Sequence, residues 1–113
     1  MFLSELLCWK LVFDQDDNAW IGSEIGLLKV AFPTERITAY LPDTANPQSI
    51  SHAFVHDVKL LNFQKIALAT PNGVDIFDIR AQKVIEKIGP RQNVFAMDID
   101  SAGTMWVAYS DEF

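Results

Sequence analysis

His52 and His56 stand four residues apart, the spacing at which a helix would turn two imidazoles toward one zinc ion. The residues around them read instead as the beginning of a strand, with no cysteine and no evident third ligand, so ordinary loop and strand histidines are expected. Asp14, Asp16 and Asp17 resemble part of a calcium loop but lack its glycine and its distant bidentate glutamate, so they read as a negatively charged turn. Asp98 and Asp100 share one face of a strand, a placement that could offer carboxylates to a ligand or metal. Asp100 equally matches Asp14 as a turn former. Cys8 is the only cysteine; it can form no internal disulfide and reads as a small buried apolar residue. The serines lie in turns and crossings, and neither a nucleophile elbow nor a phosphate-cradling glycine loop is present. No catalytic residue, metal centre or cofactor is therefore expected.

The elements that would position these groups show in a repeat. Asp14, then Asn18-Ala19-Trp20-Ile21-Gly22-Ser23, then Gly26-Leu27 reads as strand, tight turn, strand, turn, strand. Its last part recurs 47 residues on as Ala67-Leu68-Ala69-Thr70 with Gly73-Val74. Its first part recurs 86 residues on as Asp98-Ile99-Asp100, Gly103 and Met105-Trp106-Val107-Ala108. A period of roughly 40 to 50 residues built from short strands signals β-propeller blades. The fold expected is all-β, with four antiparallel strands per blade and about two and a half blades. Residues 1–10 would be a helical turn capped near Ser4 or the end of a preceding blade, 11–51 the first blade, 52–93 the second and 94–113 the start of a third. Strands are expected at Leu11 to Phe13, Ala19 to Ser23, Leu27 to Phe32, Ile37 to Tyr40, Ala53 to Leu60, Lys65 to Thr70, Val74 to Ile79, Lys83 to Lys87, from Val94, and at Met105 to Tyr109. Trp20 and Trp106 carry indoles large enough to fill the gaps between adjacent blades.

Asp14, Trp20, Ile21, Gly22, Ser23, Gly26 and Leu27 resemble the two-component regulator propeller repeat, whose core runs Asp, a polar turn, an apolar residue, Trp-Ile-Gly-Thr, two variable residues and Gly-Leu. The second copy has Ala67 in place of the tryptophan, and the third stops before its Gly-Leu step. The resemblance implies a non-enzymatic sensor region of a bacterial histidine kinase or hybrid regulator, periplasmic or otherwise extracytoplasmic, that binds a small molecule, a glycan or a protein. The run Asp98 to Ala108 also resembles repeats of propeller lactonases and lyases, which implies a channel metal held in part by Asp98. A self-assembling lectin-like or scaffold protein is the third reading.

Half of the 113 residues are hydrophobic, enough for a buried core in one small domain. A net charge of −6 argues against capture of nucleic acid or an anionic membrane surface. No apolar run approaches the roughly 18 residues of a membrane span, and Met1 to Trp9 lacks the features of a signal peptide. Two or three blades leave two apolar faces uncovered, so remaining blades of a longer chain or identical copies are expected as partners. A ligand would meet one rim, at residues 23–26, 41–51, 71–73 and 88–93, where Glu24, Asn72, Arg91, Gln92 and Asn93 present donors and acceptors.

Overall fold

A computed structural model describes residues 6–110. Among them lie ten strands: β1 (Cys8–Phe13), β2 (Ala19–Ser23), β3 (Leu27–Ala31), β4 (Arg36–Tyr40), β5 (Asp57–Leu60), β6 (Lys65–Thr70), β7 (Gly73–Asp78), β8 (Lys83–Ile88), β9 (Asn93–Ile99) and β10 (Met105–Ser110). They form two four-stranded sheets, β1 to β4 and β5 to β8, and the two-stranded pair β9–β10, each antiparallel with strands in sequence order. The all-β expectation holds.

The middle strands are buried on both faces, which is why Ala19-Trp20-Ile21 and Ile66-Ala67-Leu68-Ala69 read as continuous small or apolar runs rather than alternating ones. Opposite faces enter different layers. From the first sheet, Trp20 and Leu27 pack with Ile66, Leu68 and Phe77 of the second. The second sheet's other side, Ala67, Ala69, Val74 and Ile76, meets Val94 and Met97 of β9. Ala19, Ile21, Leu28 and Val30 make a third cluster on the first sheet, joined by Leu6 and Ile37.

Each sheet carries one register shift, which leaves an extra residue on Trp9 in β1, Ile85 in β8 and Phe95 in β9. All three are exposed. A bulge breaks the alternation of faces, so a large apolar side chain leaves the phase that would bury it.

The turns before the two tryptophans are built alike. The Asp14 carboxylate accepts the backbone N–H groups of Asp16 (2.9 Å) and Asn18 (3.0 Å) and the indole N–H of Trp20 (2.8 Å). Asp100 accepts from Ala102 (2.9 Å), Thr104 (3.0 Å) and the Trp106 indole (2.9 Å). Burial pushes the Asp14 carboxyl upward, but the bonds from Trp20, Asn18 and Asp16 outweigh it and hold the group below its ordinary range. Folding therefore favours the ionised form, a contribution present at neutral pH and lost as pH falls through the lowered folded value. Chemical denaturation from neutral pH to below the ordinary aspartate range should show Asp14→Asn losing less stability on acidification than the parent chain.

Gly22 sits where the chain passes back between sheets: a Cβ there would lie 2.4 Å from the Val55 carbonyl oxygen. The adjoining Val55 N–H donates to Ser23 (3.0 Å), so the backbone cannot retreat without breaking that bond. Gly22→Ala should cost about 1–3 kcal/mol in urea unfolding, as overpacking does elsewhere.

Four expectations need correction. Cys8 is exposed, because it opens β1, an edge strand that has no hydrogen-bonded strand on its outer side among the described residues. β1 begins at Cys8 rather than Leu11, so Cys8 to Lys10 are strand; most of the proposed Ser4-capped turn lies outside the described residues. Ladder pairing in the second sheet begins at Asp57, and Ala53 to His56 run outside it because their bonds go to two different sheets. Trp106 is 64% exposed instead of filling a gap, since no sheet lies on that side of β9–β10 among the described residues.

Candidate functional site

The proposed rim residues occupy several distinct settings. Glu24 pins the chain ahead of β1: its N–H donates to the Leu7 carbonyl (3.0 Å), and its Oε1 accepts from the Leu7 N–H (3.2 Å). Asn72 is exposed in the β6–β7 turn, where its N–H donates to Thr70 Oγ1 (3.0 Å). Arg91 folds over that turn. Its Nη2 donates to the Ile88 carbonyl (2.8 Å), its guanidinium covers Gly73, and its Nη1 lies 4.0 Å from the buried Asp75 carboxylate. Gln92 is exposed, and Asn93 opens β9. Glu24 and Arg91 are thus occupied in holding loops.

Asp98 and Asp100 separate in role. Asp100 organises its turn, whereas Asp98 is exposed and borders a broad cleft of about 580 Å³ with Lys10, Asp57, Lys59 and Trp106. One Asp98 oxygen accepts from the Ile99 N–H (2.9 Å). Lys59 lies 4.0 Å from Asp57, two residues away on the same strand.

A second concavity gathers residues that sequence reasoning had scattered. The chain between the first and second sheets is stapled from both sides: Val55 N–H to the Ser23 carbonyl (3.0 Å) and His56 N–H to the Ala69 carbonyl (2.8 Å). An extended path places alternate residues on one side. Val55 is buried between the sheets, while His52, Phe54 and His56 form a contiguous ring cluster. The β1 bulge brings the Trp9 indole to it, 5.3 Å from the His56 ring at 89° and 6.0 Å from the Phe54 ring at 69°.

With Pro71 of the β6–β7 turn and Asn93 of β9, the rings of Trp9, Phe54 and His56 line a pocket of about 260 Å³. All three sheets supply a wall. Trp9 and Phe54 are 40% and 39% exposed, so their ring surfaces reach solvent.

The imidazoles are set by backbone groups. His56 Nδ1 lies 3.2 Å from the Val94 carbonyl, which can only accept, so Nδ1 carries the proton and Nε2 of the neutral ring accepts. His52 Nδ1 accepts from the Phe54 N–H (2.9 Å) and is therefore unprotonated. Burial, and then the neighbouring His56, push the His52 ring below the ordinary histidine range. At neutral pH His52 is uncharged. The legible signal was the run His52-x-Phe54-x-His56 in strand phase; the contribution of Trp9 depends on a bulge that no spacing announces.

Solved structures share this arrangement of strands. The chain superposes on the extracellular domain of the hybrid two-component system BT3049 of B. thetaiotaomicron with a TM-score of 0.73 at 19% identity, over 89% of this chain. The extracellular domain of BT4673 of the same organism, described both as a one-component and as a hybrid two-component system, gives 0.72 at 18% and 0.71 at 16% in two structures, each over 92% of this chain. PorZ, an essential surface component of the type-IX secretion system of Porphyromonas gingivalis, gives 0.68 at 13% over 92%. The chain spans only 15% of the first two and 16% of the third. No protein-family model and no curated protein matches the sequence. At these identities the likeness establishes the fold.

Proposed function

We propose that this chain is a run of β-propeller blades from the ligand-binding region of an extracytoplasmic bacterial sensor, with no catalytic role of its own. The observation that carries the reading is the pocket fed by all three sheets, with an apolar ring lining and few polar groups: such a concavity suits recognition of a ligand. The repeated Asp-turn-Trp construction supports the blade assignment, and the extracellular two-component neighbours support the setting. In that setting the four-stranded sheets are two blades, β9–β10 begins a third, and the innermost strands β1, β5 and β9 border the central channel.

The same reading supplies a cover for Trp106. Trp20 is received by the next sheet, whereas the matching face of β9–β10, with Phe95 and Trp106, lies open. A further blade belongs there, from a longer polypeptide or from an identical copy. Asn72, Gln92 and Asn93 remain the rim side chains able to meet a ligand; Glu24 and Arg91 act as supports.

The test is a longer polypeptide carrying these residues within a complete set of sheets, screened by thermal shift against small molecules, saccharides and peptides, with each binder followed for chemical change. Saturable stabilisation without turnover, weakened by Trp9→Ala, is expected. Conversion of a binder to product, or absence of any saturable binder, would overturn the reading.

A further inference from the structure

We propose that the corner formed by Trp9, Phe54 and His56 is a cage for a quaternary ammonium group of a small molecule; this deepens the binding reading above and rests on it. Rings that meet at 89° and 69° form walls rather than a platform, so a flat ligand stacked on one ring would run into the next. A compact, rounded group can touch several rings at once, and cationic groups are drawn to the electron-rich faces of indole and phenyl rings.

The lining selects among cations. Trp9, Phe54, His56, Pro71 and Asn93 include no carboxylate. An ordinary ammonium would lose the water around its three N–H donors on burial, and these residues offer no carboxylate to offset that loss. A fully methylated nitrogen has no such donors: its charge is spread over methyl groups and its surface is apolar. The space, about 260 Å³, falls just below the range of about 300–1,000 Å³ typical of whole small-molecule sites, which suits one compact group with the remainder of the ligand outside.

The surrounding electrostatics agree. Among the described residues neither lysine nor arginine lines the pocket, and the net charge of −6 favours approach of a cation. The bond from His56 Nδ1 to the Val94 carbonyl leaves the neutral ring's Nε2 as an acceptor. Trp9 owes its place to the β1 bulge, a device that re-aims a side chain at the cost of ladder pairing.

Choline should quench or shift tryptophan fluorescence saturably at millimolar concentration, measured on the longer polypeptide. Its neutral isostere 3,3-dimethylbutanol, equal in shape but uncharged, should bind at least about tenfold more weakly, a difference of about 1.4 kcal/mol. Trp9→Ala should abolish binding by calorimetry, Trp9→Phe should retain part of it, and Trp106→Ala should leave it unchanged. Equal binding of choline and its isostere, or choline binding indifferent to Trp9→Ala, would overturn the cage. If choline fails while another molecule binds in a Trp9-dependent manner, the cage is wrong and the broader binding reading stands. If no probe binds, both fall.

Discussion

Trp20→Ala will cost about 3–5 kcal/mol of stability, whereas Trp106→Ala, the matching position two sheets on, will stay within about 0.5 kcal/mol. The two residues share a local design, each with its indole N–H on the aspartate six positions earlier, so the contrast isolates what lies beyond the turn. Trp20 is fully buried; its rings stack on Tyr40 at 5.8 Å and tilt against Phe77 at 5.5 Å. Removing it leaves a cavity between two sheets that rigid ladders prevent from collapsing, and takes one hydrogen bond from the Asp14 carboxylate. Urea unfolding monitored by far-ultraviolet dichroism would measure both variants. Equal losses would mean that the shared turn, not packing between sheets, supplies the stability.

That contrast also shows what could be read in the sequence. The Asp-turn-Trp spacing and the Ser/Thr and Gly steps that follow it depend on chemistry within about fifteen residues; the first located β2 and β10 well, the second β3 and β6. The face that Trp106 presents depends on what lies next to β9–β10, which local spacing does not encode. Cys8 misled for a related reason: cysteine's preference for burial is a property of the residue type, overridden here by its place at the start of an edge strand.

The pocket of Trp9, Phe54 and His56 was less legible than the fold. Glu24 and Arg91 were singled out as polar groups in turns, and both are in turns, but their polar atoms hold neighbouring backbone. Turn residues near a close approach of two segments are recruited for that purpose because unpaired backbone groups there are costly. The pocket's residues come from four separate stretches; His56 and Asn93 were noticed one at a time, but Trp9, Phe54 and Pro71 carry no charge or motif spacing that would join them. His52 and His56 were noticed for metal chemistry, a helical reading; in extended chain their spacing brings them to Phe54 instead.

Asp75 carries the second large effect, and its dependence on pH runs opposite to that of Asp14. Its side chain is fully buried in β7, where one oxygen accepts the Ser51 N–H (2.7 Å) and the other the Ser51 hydroxyl (2.6 Å). Lys87 donates to the same hydroxyl (3.0 Å), and Arg91 stands 4.0 Å from the carboxylate. The cluster ties the 41–51 crossing to the second sheet. Asp75→Ala removes both acceptors from Ser51 and should cost about 2–4 kcal/mol at neutral pH, measured by urea unfolding. Burial pushes the Asp75 carboxyl upward more strongly than the Ser51 bonds and the Lys87 and Arg91 charges pull it down, so the folded chain holds this proton more tightly than the unfolded chain. Between the ordinary aspartate value and the raised folded value the folded state therefore binds more protons, and the contribution of Asp75 to stability falls as pH rises through that window. Asp75→Asn, which keeps one acceptor and cannot ionise, should lose ground against the parent chain on acidification and gain on it toward neutral pH, opposite to the expected trend of Asp14→Asn with Asp14's lowered value. Parallel trends for the two variants would mean that the Ser51 bonds, with Lys87 and Arg91, outweigh burial, and that the crossing is held by an ion cluster rather than by a strained buried acid.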